Sequence, residues 1–349
     1  MPFKAPELLT SWRSYPARIA SLAFAWLIVI TVLHLTLNTE REARPVIKMG
    51  YMPVVTNLAA PLLDAASLEF PSTLRFKAIK FASFAEMAEA LRNREIEAAF
   101  IIAPLSVVLH QQGEDVRVVY IGNRHESTMV VRKDLTASSF ADLSGRTVAV
   151  PMRYSGHHIA IRKLSTEAGI ENQIHIVEMN PPDMASALAA GSLDAYFVGE
   201  PFAAQTLKHG TGRLLFYVES VWPGFICNLL LVKQSYIDAH PDRVQALVES
   251  AARSGIWAQG NVAEAARIAS KYWGQPVDLV EYALTTPEHR IVYDRFVPSE
   301  AELRDLAKMM VTYGLAEKDA VGDLVVDRFA KQADLSNIED FDSVLSSQE

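Results

Sequence analysis

The chain has 349 residues, half of them hydrophobic, enough to bury one large core or two moderate ones. Its 33 Lys and Arg against 41 Asp and Glu give a net charge of −8 with no long basic run. That excludes nucleic acid as a partner, because phosphate binding needs clustered cations.

The first element is the segment ARIASLAFAWLIVITVLHLTL, residues 17–37, which carries no Asp, Glu, Lys or Arg after Arg18. It is long enough to cross a bilayer, which takes about 20 apolar residues. Lys4, Arg13 and Arg18 precede it, and NTEREARP follows without the small-x-small site of a cleaved signal peptide. Residues 1–44 therefore read as a tail and uncleaved signal anchor, with cleavage as the alternative. Arg41, Arg44 and Lys48 follow the span in equal number, so the charge signal for orientation is weak. The expected location is the cell membrane, with the rest of the chain on the periplasmic or extracytoplasmic side.

From about residue 45 strands alternate with helices, the pattern of parallel sheets covered by helices. VIKMGYM and FKAIKFA read as strands, with NLAAPLLDAA a helix between them. SFAEMAEALRNRE opens a helix on Ser83 with Glu86 three residues later, a capping box, and IEAAFIIAP is the next strand. This unit recurs 97 residues on: SFAEMAEALRNREIEAAFIIAP (83–104) aligns without a gap on NPPDMASALAAGSLDAYFVGEP (180–201). The repeat predicts a two-lobed α/β body. Extended segments at 118–135 and 214–236 carry the chain from one lobe to the other and back, as a hinge suited to closing over a ligand. The expected divisions are 45–122 for the first part of lobe one, 123–222 for lobe two, and 223–349 for the rest of lobe one. That last part is helical, and one helix opens on a second capping box, Ser299 with Glu302, and stops at Gly314.

Catalytic signatures are missing: there is no GxSxG, HExxH or Walker loop, and GTGRLL at 210–215 lacks the third glycine of a dinucleotide fingerprint. The single cysteine, Cys227, excludes an internal disulfide or a multi-cysteine metal site, and its apolar run GFICNLLLV gives it a core role. His157 and His158 are adjacent and diverge, so they do not share a metal. No cofactor and no metal are expected.

In open α/β sheets, ligands bind beyond the carboxyl ends of the strands. That rule selects the loops MPVVTN, with Thr56 and Asn57, FASF, with Phe84, IAPLS, with Ala103, and VGEPF, with Glu200. Glu200 stands where the first copy of the repeat has only Ala103. Ser155 and Gly156 lie where the strand at 147–151 turns into a helix, whose free N–H groups favour an anion or a carbonyl oxygen. His157 and Arg153 adjoin that start, while Ser127 and Trp222 belong to the two crossing segments. Glu200 is expected to line the cleft, either paired with Arg153 or accepting a hydrogen bond from the ligand.

GYMPVVTNLAAPLL, the two copies of the repeat, and the tail GLAEKDAVGDLVVDRFAKQA together resemble ABC-transporter substrate-binding proteins of the nitrate/sulfonate/taurine type (SsuA/THI5-like, NMT1-like). The likeness runs over about residues 46–335. It implies a type II periplasmic-binding fold with a hinge of two crossover segments, behind one N-terminal transmembrane helix. It also implies capture of one small polar ligand (nitrate, bicarbonate, sulfonate or taurine-like) without catalysis, by a monomer serving an ABC permease and ATPase. Two features depart from the family pattern: Phe202 follows GEP where the nitrate-like branch has tryptophan, and Asn57 follows Thr56 where an acid is common. The alternatives are a binder or enzyme of pyrimidine thiamine precursors on the same fold, with His157 and Glu200 as acid and base, and a membrane-anchored ligand sensor.

Overall fold

A computed structural model describes residues 14–37 and 44–346, and the chain divides into two units, Met1–Arg44 and Pro45–Glu349. The first unit holds helix α1 (Ser14–Leu37). Its window Ala17–His34 has a mean hydropathy of 1.8 and none of it is buried. A helix satisfies its own backbone hydrogen bonds, so an apolar surface of this length suits a bilayer, as an anchor or as a signal sequence.

In the second unit the elements follow in chain order. The first run is β1 (Val46–Tyr51), α2 (Ala59–Glu69), β2 (Arg75–Lys80), α3 (Phe84–Arg92), β3 (Ala98–Ile102), α4 (Ala103–Gln111) and β4 (Val116–Ile121). The second is β5 (Ser127–Arg132), β6 (Thr147–Val150), α5 (Gly156–Glu167), β7 (His175–Glu178), α6 (Pro181–Ala189), β8 (Ala195–Gly199), α7 (Phe202–His209) and β9 (Gly212–Tyr217). The chain ends with β10 (Asn228–Lys233), α8 (Gln234–Ala239), α9 (Pro241–Gly260), α10 (Val262–Trp273), α11 (Val277–Thr285), α12 (Glu300–Thr312) and α13 (Arg328–Lys331).

Two five-stranded sheets result, ordered β2-β1-β3-β10-β4 and β7-β6-β8-β5-β9. The plan is the same in both. Three strands run parallel, and the strand arriving from the other lobe inserts antiparallel in fourth place: β10 beside β3 and β4, β5 beside β8 and β9. β3 (AAFII) and β8 (AYFVG) are buried at every position, as strands covered on both faces must be. The repeated unit appears without slippage, α3–β3 over 84–102 and α6–β8 over 181–199. The late helices pack on the first sheet, with α9, α10 and α11 joining the core around Met49 and Phe100 and α12 the core around Ile101.

The capping boxes fare differently. Ser83 accepts from the Glu86 amide at 3.2 Å, and the Glu86 carboxylate reaches back to the Ala82 amide at 3.3 Å. Ser299 makes no capping bond, and Glu302 instead accepts from Arg124 Nη1 at 2.8 Å and Nη2 at 3.2 Å. A paired, charge-assisted bond to a buried guanidinium outweighs one bond to a helix-end amide.

Residues 122–126 and 218–227 pass between the sheets. They are bridged at Arg124 and Ile226, and a third extended piece joins them, with Arg124 also paired antiparallel to Val292. The lobes are closed on each other: Val54 of the first packs into the core around Tyr196 and Phe202, and Ala204 of the second packs into the core around Tyr120. The Val55 amide donates to the Glu200 carbonyl at 2.8 Å across the gap, and Lys208 pairs with Asp278.

Candidate functional site

The neck and the adjoining strand ends hold a buried polar cluster. Ser127, the first residue of β5, faces Gly199, the last of β8. A Cβ at 199 would lie 2.6 Å from Glu126 Oε2, so glycine leaves room for this carboxylate in its present place. Glu126 is fully buried; its Oε1 accepts from the Ser127 hydroxyl at 3.0 Å and its Oε2 from the Glu200 amide at 2.8 Å. Burial pushes its carboxyl up, opposed by bonds from Cys227 and Ser127.

Glu200 is 2% exposed. Its Oε1 accepts from Thr128 Oγ1 at 2.6 Å, and its Oε2 accepts from the Ala204 amide at 2.7 Å, satisfying a free N–H in the first turn of α7. Its cation is Arg290, whose Nη1 lies 3.5 Å from Oε1. Arg290 also reaches Glu219 through Nε at 3.0 Å, donates Nη2 to the Ser127 carbonyl, and lies over the Tyr217 ring at 4.2 Å. Burial raises the Glu200 carboxyl, and Arg290 is the strongest influence holding it down.

His157, second residue of α5, stands 2.9 Å from Ser127 Oγ through Nε2, with its ring edge-on to Phe197. Burial lowers its pKa to about 3, so it is neutral. Because the Ser127 hydroxyl donates to Glu126 Oε1, its oxygen accepts from Nε2, and Nδ1 is left without a partner.

Across the neck, Asn57 donates to the Met52 carbonyl at 3.0 Å and accepts from Asn228 at 2.7 Å, and Asn123 donates to the Val55 carbonyl at 3.0 Å. Gly122 is required here, because a Cβ would fall 2.0 Å from the Thr56 carbonyl. Five buried atoms of this region have no hydrogen-bond partner: Thr56 Oγ1, Asn123 Oδ1, Asn228 Oδ1, His157 Nδ1 and Arg290 Nη1. Buried polar groups are normally paired, so such a group of orphans has to be accounted for.

Thr56, Asn57, Ser127, His157 and Glu200 thus fall together. Phe84 lies at the mouth, lining an interlobe cavity of about 300 Å³ with Met52, Met152 and Met179. Ala103 contributes backbone only, its amide donating to the Cys227 carbonyl at 2.9 Å. Ser155 caps its own helix through the His158 amide at 3.1 Å, and Gly156 backs onto the Phe225 ring, which Trp222 meets edge-on at 5.3 Å. Arg153 is not the partner of Glu200; its Nη2 donates to the Gly314 carbonyl at 3.1 Å. Its loop turns outward, and its amide is held by Glu178 at 2.8 Å. Glu126, Asn123, Asn228 and Arg290 were missed. Arg290 lies in the irregular stretch PEHRIVYDRF, where no periodicity marks a direction, whereas Glu126 stood inside a segment already read as a crossing.

Two lobes of this strand order, joined by two crossings beside a buried polar cluster, define the two-lobed α/β periplasmic-binding class. The chain belongs to the NMT1-like family, whose signature matches residues 40–272. It is 29% identical over 197 residues to a Bacillus subtilis (strain 168) protein assigned to aliphatic sulfonate binding, covering 55% of this chain and 57% of that one. It is 26% identical over 217 residues to the taurine-binding periplasmic protein of Escherichia coli (strain K12), covering 58% and 66%. The chain therefore spans less than two thirds of these relatives. The periplasmic nitrate-binding protein NrtA from Synechocystis PCC 6803 superposes with a TM-score of 0.74 at 15% identity, over 83% of this chain and 88% of that one.

Proposed function

We propose that the Pro45–Glu349 unit is the solute-binding component of an ABC importer, capturing one small polar ligand between its lobes without catalysis. The observation that carries this reading is the set of four buried polar atoms without a partner, Thr56 Oγ1, Asn123 Oδ1, Asn228 Oδ1 and His157 Nδ1, on the neck and strand ends where the lobes meet, beside Arg290 Nη1, which is ion-paired to Glu200 at 3.5 Å. Such atoms offer open hydrogen-bonding positions, His157 from the second lobe and the others from the first lobe and the neck, which a polar ligand completes. The sulfonate, taurine and nitrate named for the relatives are small and polar, in keeping with it. Under this reading α1 holds the unit at the outer face of the membrane, and the permease and ATPase are separate chains.

A thermal-shift screen of the full-length protein across nitrate, bicarbonate, sulfonates, taurine, carboxylates and pyrimidines tests it. A ligand at 100 times its dissociation constant stabilises by about 2.7 kcal/mol, which corresponds to roughly 4 °C for a unit of this size. A panel without any shift, and without compaction in solution scattering, overturns the reading. Ligand recovered chemically altered overturns its non-catalytic part.

A further inference from the structure

Arg153 is freed from the cleft by its geometry, and it does not stand alone. His158 and Arg162 are four residues apart on α5 and so share a helix face. With Arg153, Glu178, Tyr313 and Leu315 they line a cavity of about 300 Å³. Arg153, His158, Arg162 and Glu178 belong to the second lobe, while Tyr313 and Leu315 follow α12 of the first. Arg162 donates Nη1 to Asn172 Oδ1 at 3.1 Å, and Arg153 donates to the Gly314 carbonyl. Among the described residues neither guanidinium has a carboxylate within 4.0 Å. The one acid in the cavity, Glu178, is engaged by the Arg153 amide. His158 Nδ1 is buried without a partner.

Arg153 and Arg162 line the same partly enclosed space and outnumber its one carboxylate, Glu178, which favours an anion there. Their field, after burial, also holds the His158 pKa down to about 4, so both charges are felt at the cavity wall. The volume is enough for a hydrated oxyanion or one carrying a small organic group.

We propose that this interlobe margin is a second binding site, distinct from the neck cluster, for a tetrahedral oxyanion such as phosphate or sulfate, gripped by Arg153 and Arg162. Its walls come from both lobes, so an anion there favours the closed arrangement over the open one. The site does not depend on the transport reading.

The test uses the full-length protein in detergent, with inorganic phosphate as probe and potassium chloride at matched ionic strength as reference. Phosphate is expected to raise the melting temperature saturably and to move the imidazole Cε1–H resonance of His158, assigned with His158→Gln. Arg162→Gln is expected to weaken phosphate binding about tenfold, and Arg162→Lys to restore part of it. The melting temperature of each variant in chloride shows that it has folded. A phosphate response no larger than that of chloride overturns the proposal, as does phosphate binding of wild-type strength in folded Arg162→Gln. Glycerol 3-phosphate competing for the same His158 shift assigns the site to a carried phosphoryl group; its failure to compete assigns it to the free inorganic ion.

Discussion

Replacing Arg290 by glutamine removes the guanidinium that compensates Glu200. Both side chains are nearly inaccessible, at 2% and 3%, so their interaction is little screened by solvent, whereas Glu219 on the other side is 28% exposed and contributes little. Breaking a buried pair from one side costs about 3–5 kcal/mol, because the remaining charge stays desolvated. For the Pro45–Glu349 unit that corresponds to a fall in melting temperature of roughly 5–8 °C at neutral pH. The Glu200 carboxyl is already raised above its ordinary value, and loss of Arg290 raises it further. Between the unfolded and folded pKa values the folded state holds a proton that the unfolded state has released, so stability falls as pH rises through that window. The deficit of Arg290→Gln is therefore larger near neutrality than near the ordinary carboxylate pKa. Glu200→Gln in the same background removes the stranded charge and recovers most of the loss. The assay is thermal denaturation of the two single variants and the double variant at both pH values. A single variant melting with the wild type, or a double variant whose loss is the sum of the singles, refutes the coupling.

His157 gives a dependence of opposite sign. Its folded pKa of about 3 lies below the ordinary 6.5, so its neutral form contributes stability that is present above 6.5 and lost as pH falls toward 3. About 2 kcal/mol is lost by roughly pH 5, at 1.36 kcal/mol per unit, and a flatter melting profile of His157→Gln between those values checks it. Gly156→Ala places a Cβ 2.7 Å from Phe225 Cε2 and 2.8 Å from Cζ. The overpacking costs about 1–3 kcal/mol, read as a lower melting temperature that Phe225→Leu partly restores. No change on Gly156→Ala would mean that the α5 start and the second crossing are not in the contact described.

Most of the helix and strand order, the repeat and the two crossings were legible in the sequence because each rests on local pattern: caps, apolar runs buried on both faces, and punctuation by glycine and proline; α4 and α7, which begin at Ala103 and Phe202 in segments read as loops, were not. The partners of the charged residues were not. Glu302 reads as the third residue of a capping box, but Arg124, distant in sequence, takes its carboxylate. Arg153 is the nearest cation in the strand-to-helix loop, yet the direction of its side chain depends on the turn after α12, where it meets the Gly314 carbonyl. Arg290 reaches the cluster because Val292, two residues on, is held at the neck by its pairing with Arg124. Ion pairs between residues far apart in sequence follow from tertiary placement, and propensity carries no information about them.

The repeat explains where the charge went. In the first lobe the residue after β3, Ala103, donates its amide to the carbonyl of Cys227, the residue just before β10. In the second, the residue after β8, Glu200, donates its amide to the carbonyl of Glu126, the residue just before β5. Ile102 opposite Asn228 and Gly199 opposite Ser127 complete the equivalence. One backbone device is thus used twice, with Ala103 and Cys227 in one copy and two carboxylates in the other. The second copy also supplies Gly199, which leaves room for the Glu126 carboxylate. Two buried carboxylates on one side need a cation, and Arg290 comes from the first lobe to reach Glu200 and the Ser127 carbonyl. The acids at 126 and 200 are thus balanced by a cation that the second lobe does not itself supply.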